Sequence, residues 1–349
     1  MAFLQCENVR IAGIAAGVPK EVRLTVKEGK LSDDYDVETY SRSTGVYERR
    51  YSDSLTVGDL CYHAANKLLG DLHWEKETID AIVLVTQTGD YICPATACIL
   101  QDKLALSKEC YALDINLGCS GWVYGLSVVS ALLSGGCFRR ALLMAGDARM
   151  WHNEKLDPLF GSAGTVTALE YKENQSFKFH FGTDGRGWNA LFVPDGGAKS
   201  PFTVKSLEYE DVDGKMMTRI QSRMLGMDVF SFGITTAPKS VKKLLAYCEL
   251  DLSQIDYLVF HQANKLMIDT IIKKLKIDQK FVPLCMGKFG NTSSASIPLT
   301  IVTQLKDQFN EDRQLLCCGF GIGLSWGSVV LKLNKEVVIS GLVEVENEC

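Results

Sequence analysis

An α/β protein made of two similar halves is what the sequence predicts, and three observations predict it. Segments recur in the same order at a nearly constant spacing. "TIDAIVLVTQT" from Thr78 resembles "QIDYLVFHQAN" from Gln254, an offset of 176 residues. "INLGCSGWVYGLSVVSALL" from Ile115 resembles "GKFGNTSSASIPLTIVTQL" from Gly287, an offset of 172, and "RRALLMAGD" from Arg139 parallels "DRQLLCCGF" from Asp312, an offset of 173. Chance likeness between apolar segments does not keep a constant spacing, so the pattern reads as a duplication. Each copy also alternates apolar strands with helices, as a mostly parallel, helix-covered sheet requires. Finally, reactive polar residues stand where apolar strands end, and open α/β sheets gather ligands at those carboxyl ends.

In chain order, the start "MAFLQCENVR" lacks the basic flank and apolar run of a secretory leader. "DLCYHAANKLL" reads as a helix carrying His63, and His73 falls in a polar connection; both are expected to be structural, and neither His152 nor His180 has a clear partner. "TIDAIVLVTQT" supplies a strand and "YALDINL" another, followed by the break "GCSG". The next stretch, "WVYGLSVVSALLSGG", is a helix that stops at Gly135-Gly136. The uncharged run from Ile115 to Phe138 has the length of a membrane span. Asn116, five glycines and four serines interrupt it, so a helix buried on all sides is the better reading. "RRALLMAGD" is again a strand, and the polar "KENQS" at Lys172–Ser176 is the expected boundary between an N-terminal half (1–173) and a C-terminal half (174–349). In the second half "IDYLVFH" is a strand, "KLMIDTIIKKL" a helix, and "FGNTSSASIP" a small-residue turn into an apolar helix. The last residues, "NKEVVISGLVEVENEC", read as an extra edge strand or a tail.

Composition bounds the chemistry. The chain has 349 residues, 46% hydrophobic and 23% charged, the profile of a soluble globular protein of one large or two ordinary domains. A formal charge of −5 leaves no electrostatic footprint for nucleic acid. Twelve cysteines without a leader point to reduced thiols in the cytoplasm, and no Cys-x-x-Cys pair stands near histidines, so no metal site is expected. Most of the cysteines, Cys137, Cys317 and Cys318 among them, lie in or beside apolar runs and fit as core hydrophobes. Cys119 differs. It opens a helix within "GCSG", where backbone N–H groups and the helix dipole are expected to depress a thiol pKa. His261 closes an apolar strand, and Asn291, opposite Cys119 in the repeat, enters a helix. A helix cap would explain an asparagine there, but not why its repeat partner is the cysteine.

"DINLGCSG", "VFHQAN" and "FGNTSSASIPL", with "GFGIGLSWGS" near the end, resemble the ketoacyl-acyl-carrier-protein synthase III group of the thiolase superfamily, over nearly the whole chain. The resemblance implies a thiolase-like fold, two pseudo-symmetric halves in a layered αβαβα core. It also implies a Cys119–His261–Asn291 site without a cofactor. Cys119 would take an acyl group from a thioester of an acyl carrier protein or coenzyme A. His261 and Asn291 would hydrogen-bond the carbonyl of a malonyl-acyl-carrier-protein thioester as it loses carbon dioxide, and the enolate would attack the acyl-cysteine. Backbone N–H groups of Cys119 and Ile322 would hold the other oxyanion. A homodimer in fatty-acid or specialised acyl metabolism is expected, with no membrane or nucleic acid as partner.

The sequence departs from that group in places. The tryptophan and arginine that relatives use on coenzyme A align with Thr39 and Ser43. The Leu-Arg pair after "HQAN" is Lys265-Leu266, which makes Lys265 the candidate contact for an acidic carrier. The phenylalanine that shapes the primer pocket aligns with Cys93. Two other functions stay open at this point: transfer of the acyl group to an alcohol or amine without decarboxylation, and a non-condensing subunit of a heterodimer.

Overall fold

The computed structural model describes residues 2–27, 36–148 and 158–346; His152 lies outside them. Nine strands form one continuous hydrogen-bonded sheet: β1 (Ala2–Pro19), β2 (Ala81–Val85), β3 (Tyr111–Ile115), β4 (Arg140–Asp147), β5 (Ala163–Thr183), β6 (Tyr257–Phe260), β7 (Arg313–Gly321), β8 (Ser325–Leu333) and β9 (Val338–Val345). Eight α-helices accompany them: α1 (Val37–Thr44), α2 (Val57–Leu72), α3 (Thr96–Lys103), α4 (Gly121–Ser134), α5 (Gly226–Cys248), α6 (Lys265–Leu275), α7 (Met286–Phe289) and α8 (Ser296–Gln304).

The sheet is two leaves joined by long strands. One part of β5, Ala163–Glu170, pairs antiparallel with β4; another, Lys178–Thr183, pairs antiparallel with β8. β1 follows β5 antiparallel through both regions. The first leaf runs β3-β2-β4-β5-β1-β9 and the second β6-β7-β8-β5-β1. In each, parallel strands end on an antiparallel pair, β4 with β5 and β7 with β8. The elements β2, α4, β4 and β5 thus correspond to β6, α8, β7 and β8, the order in which the sequence repeats. The division at residues 173/174 falls inside β5, at a bulge where Asn174 and, opposite, Asn8 take left-handed φ values of +63° and +57°.

Side chains alternate across each strand and so feed two cores. In β2, Ala81, Val83 and Val85 face the central core, while Ile82 and Leu84 face the outer core under α2. In β7, Leu315 and Cys317 face the centre, while Leu316, Cys318 and Phe320 pack beneath α5 and α6. Both α4 and α8 lie between the leaves, with Trp122, Val123, Leu126, Ile297, Leu299 and Ile301 in the central core. The layers are therefore helix, leaf, helix, leaf, helix. Gly121 and Gly125 let α4 lie close on its leaf, since a Cβ on either would come within 2.4–2.6 Å of Val85 side-chain atoms. The uncharged run from Ile115 to Phe138 is this buried helix, and among the described residues no helix is long and apolar enough to cross a membrane.

The residues after Leu333 form β9, an edge strand parallel to Gly13–Pro19 of β1. Ion pairs hold it on the first leaf: Arg50 reaches Glu344 at 2.8 Å, and Lys20 pairs with Glu346.

Candidate active site

Loops at the carboxyl ends of strands from both leaves meet at Cys119. The chain leaves β3 at Ile115, passes Asn116–Gly118, and presents Cys119 two residues before α4. From the second leaf, the turn after β7 comes so close that a Cβ on Gly321 would stand 2.8 Å from the Cys119 sulfur. Only a residue without a side chain fits there. The backbone N–H groups of Ile322 and of Cys119 itself face the sulfur and favour its anion. Cys119 keeps some accessible surface because it opens on a cavity of about 260 Å³. Phe160, Leu191, Phe192, Val193 and Ile322 give that cavity apolar walls, and Gln87, Asn116, Ser222 and Ser293 add polar edges.

His261 follows β6 directly; its N–H donates to Cys318 O at 2.9 Å, which extends the β6–β7 pairing by one residue. The ring is buried, edge-on to Phe320, and its Nδ1 lies 2.8 Å from the Ser296 hydroxyl at the start of α8. Burial holds its pKa down at about 4, against a weaker opposing pull from the Ser293 carbonyl. His261 is therefore neutral at physiological pH. Asn291 is clamped on both sides, its N–H donating to Leu159 O at 2.8 Å and its carbonyl accepting from Gly161 N at 3.1 Å. Its side-chain Oδ1 accepts the Ser293 N–H at 2.9 Å. Ser293 thus touches Asn291 through its N–H and His261 through its carbonyl, and it also lines the cavity.

Two expectations need correcting. The Cys119 thiol is not depressed: burial pushes it up to about 11, against the smaller favourable pulls of the two N–H groups. A helix start lowers a thiol pKa where solvent also reaches it, and α4 begins between two sheets. Cys93 is no wall of this chain's cavity. It stands exposed after Tyr91 and Ile92, themselves 67% and 100% exposed, in the loop between β2 and α3. Lys265, the first residue of α6, pairs with Asp269 one turn on at 2.5 Å and keeps 43% of its side-chain surface exposed; a surface pair of this kind is weak. Thr39 and Ser43 lie on α1, which packs against α6, and neither can bind as the tryptophan or arginine of the resemblance would.

The sequence reading missed Ser293, Ser296 and Asp147. The signal for Asp147 was the one that singled out His261, a polar residue closing an apolar strand. Among the described residues no group of histidines, cysteines and carboxylates could hold a metal ion, and no disulfide ties the described cysteines.

A thiol under two backbone N–H donors, with a neutral imidazole and a fixed carboxamide linked to its cavity through Ser293 on a duplicated α/β scaffold, is the arrangement of a thiolase-like acyltransferase. Comparison with known proteins narrows the class. Residues 113–185 match the family model of 3-oxoacyl-[acyl-carrier-protein] synthase III, and residues 245–333 match the model of its C-terminal part. A putative 3-oxoacyl-[acyl-carrier-protein] synthase 3 of Campylobacter jejuni is 34% identical over 340 residues, 93% of this chain and 94% of the relative. The beta-ketoacyl-[acyl-carrier-protein] synthase III of Desulfitobacterium hafniense is 31% identical, covering 95% of this chain and 99% of its own. The crystal structure of a 3-oxoacyl-(acyl-carrier protein) synthase from Burkholderia xenovorans superposes with a TM-score of 0.91 at 37% identity, over 99% of both chains. The chain belongs to the 3-oxoacyl-[acyl-carrier-protein] synthase III family. It is a condensing acyltransferase of fatty-acid synthesis, joining an acyl group to a malonyl unit with loss of carbon dioxide.

Proposed function

We propose that Cys119 carries the acyl group as a thioester and that His261 and Asn291 act on the malonyl thioester. Attack of the Cys119 sulfur on an acyl thioester puts negative charge on the carbonyl oxygen, and the N–H groups of Cys119 and Ile322 are the donors for it. In the second step the malonyl carboxylate leaves as carbon dioxide, and its electron pair becomes an enolate. That oxygen takes hydrogen bonds from His261 Nε2–H and Asn291 Nδ2. The imidazole can donate from Nε2 when Nδ1 accepts the Ser296 hydroxyl, the pairing that the 2.8 Å contact supports. The enolate carbon then attacks the acyl-cysteine and releases the 3-oxoacyl product. The observation that carries this reading is the pair of backbone N–H groups facing the Cys119 sulfur.

The cavity supports a primer longer than acetyl, since 260 Å³ holds about eight or nine non-hydrogen atoms at ~30 Å³ each. Thr39 and Ser43 offer neither a stacking ring nor a fixed cation to a phosphorylated nucleotide. Acyl-carrier-protein thioesters are therefore the proposed primer donors, with malonyl-acyl carrier protein as extender. We further propose a cytoplasmic homodimer that covers the exposed Tyr91 and Ile92. Intact-mass measurement after incubation with matched acyl-carrier-protein and acyl-coenzyme A thioesters tests the primer step. One acyl group on Cys119, loaded faster from the carrier, is expected. An unmodified Cys119 with product still forming overturns the nucleophile, and equal loading overturns the donor.

A further inference from the structure

The cavity beside Cys119 has two sides of different construction. On the sheet side, Gln87 and Asn116 follow β2 and β3, and Ile322 follows β7. Gln87 is fixed through its main chain, whose N–H donates at 2.7 Å to Asp147 Oδ1 at the end of β4; the same oxygen accepts the hydroxyls of Thr86 and Thr88, each at 3.0 Å. On the other side, Leu191, Phe192, Val193 and Ser222 belong to residues 184–225, which connect β5 to α5 outside the nine-stranded sheet. The strand Leu191–Phe192 pairs over two residues with Arg223–Met224, and Leu225 N–H donates to Ala190 O at 2.8 Å.

An excursion of this length is ordinarily held by a small apolar cluster of its own. Here the opposite is found. Between Pro194 and Ser222 the buried residues are Asp195, Ser206 and Thr218, all polar, while Phe202, Val204, Leu207, Tyr209 and Met216 are each more than half exposed. The Asp195 carboxylate is the hub. Its Oδ1 accepts Ser200 Oγ at 2.7 Å and Arg219 Nη2 at 3.0 Å, and its Oδ2 accepts Ser206 Oγ at 2.8 Å and Arg219 Nε at 3.0 Å. A buried carboxylate so fully bonded, with a two-point guanidinium fork, is compensated for its loss of water. The main chain repeats the closure: Asp195 N–H donates to Arg219 O at 3.0 Å, and Arg219 N–H to Ser206 O at 3.2 Å. Glu210 extends it, pairing with Arg223 at 2.8 Å and standing 3.8 Å from Arg219. Arg223 lies opposite Phe192 in the short strand pair, so the charges run from Asp195 to the partner of the cavity wall.

We propose that Asp195 is a positioning residue that sets the longest primer the cavity accepts, a reading that rests on Cys119 carrying the acyl group there. Asp195 lies two residues after Val193, and Arg219 three before Ser222. Their pairing therefore fixes the separation of the two chain segments that close the cavity. With the clamp made, 260 Å³ admits an acyl group of about seven or eight carbons with its carbonyl oxygen, at ~30 Å³ per non-hydrogen atom. A longer chain must push Leu191, Phe192 and Val193 outward, and the clamp, rather than a packed core, resists that motion. The preferred primers are carrier thioesters of medium-length acyl chains, with a cut-off below about twelve carbons.

The test is the rate of acyl-Cys119 formation from carrier thioesters of four, eight and twelve carbons, read by quenched intact-mass measurement. The unaltered enzyme is expected to load the two shorter chains at rates within about threefold of each other. It should load the twelve-carbon chain at least ~10-fold more slowly, since one methylene too many in an apolar pocket already costs about that much. Asp195→Asn keeps one acceptor but loses the charge and the second oxygen that the guanidinium fork needs. It is expected to load the twelve-carbon chain within about threefold of the eight-carbon chain. Arg219→Gln is expected to do the same, and the double variant to go no further than either alone, because the pair acts as one unit. A role in stability alone would lower every rate together and leave the chain-length ratio as it was. An unchanged ratio in the two folded single variants overturns the proposal, and so do additive effects in the double. Should these variants fail to fold, Arg219→Lys keeps the charge without the fork and is expected to lose part of the discrimination. Full-rate loading of the twelve-carbon chain by the unaltered enzyme overturns the proposal without any variant. No acyl group on Cys119 from any chain overturns the nucleophile and the proposal with it, whereas an acylated Cys119 with an unchanged ratio overturns the clamp alone.

Discussion

Acidifying the enzyme from pH 7 to pH 5 should leave malonyl decarboxylation almost intact. His261 is the group whose titration would stop it, since an imidazolium next to the thioester loses the Nδ1 acceptor that its contact with Ser296 requires. With a pKa of about 4, the ring is still about 90% neutral at pH 5. An imidazole at its ordinary value of ~6.5 would be only about 3% neutral there. The two cases differ about thirtyfold in rate, well beyond assay error. The assay is carbon dioxide release from a malonyl thioester, at saturating substrate, every half pH unit from 3.5 to 8. Half-loss near pH 4 is expected; half-loss near 6.5 would refute the burial argument. The same shift sets the limit of the experiment. Below pH 6.5 the unfolded chain binds a proton on His261 that the folded chain refuses until about pH 4. Stability contributed by the neutral ring is thus present above pH 6.5 and lost as pH falls toward 4, by up to about 3 kcal/mol. Circular dichroism at each pH separates unfolding from loss of chemistry.

Other perturbations follow from named contacts. Asn291→Ala should slow carbon dioxide release by ~10²–10³, with acyl loading of Cys119 much less affected; equal loss in both steps would remove Asn291 from the malonyl site. Gly321→Ala places a Cβ 2.8 Å from the Cys119 sulfur. It should cut acyl loading at least ~10-fold and cost about 1–3 kcal/mol in thermal unfolding, and normal loading would refute the close approach. Ending the chain after Leu333 removes β9 and uncovers the edge of β1 from Gly13 to Pro19. A lower melting temperature and concentration-dependent aggregation should result, measured by light scattering; an unchanged melting temperature would make β9 dispensable.

What could be read from the sequence, and what could not, share a cause in burial. The strands β2, β4, β6 and β7 stand between helix layers on both faces, so they appear as unbroken apolar runs, and the residue that ends such a run is conspicuous. His261 was found that way, and Asp147 offered the same signal. The repeat was legible because α4 and α8 occupy one shared layer and need the same small-residue entry, "GCSG" in one and "GNTSS" in the other. The cavity walls were not legible. Leu191 and Phe192 form a two-residue strand paired with Arg223 and Met224 across a long excursion, too short for any period to show. The loop that carries Cys93 points outward, which alignment to relatives cannot reveal for a single chain. The thiol illustrates the point most directly. Sequence places Cys119 at a helix start, and that location is correct. The acidity inferred from it assumed a helix end open to bulk water, whereas the two-sided burial that makes α4 recognisable leaves Cys119 only the narrow opening of a largely apolar cavity. Local sequence can say which backbone groups face a sulfur; the dielectric in which they act is set by the second leaf, about 200 residues away in the chain.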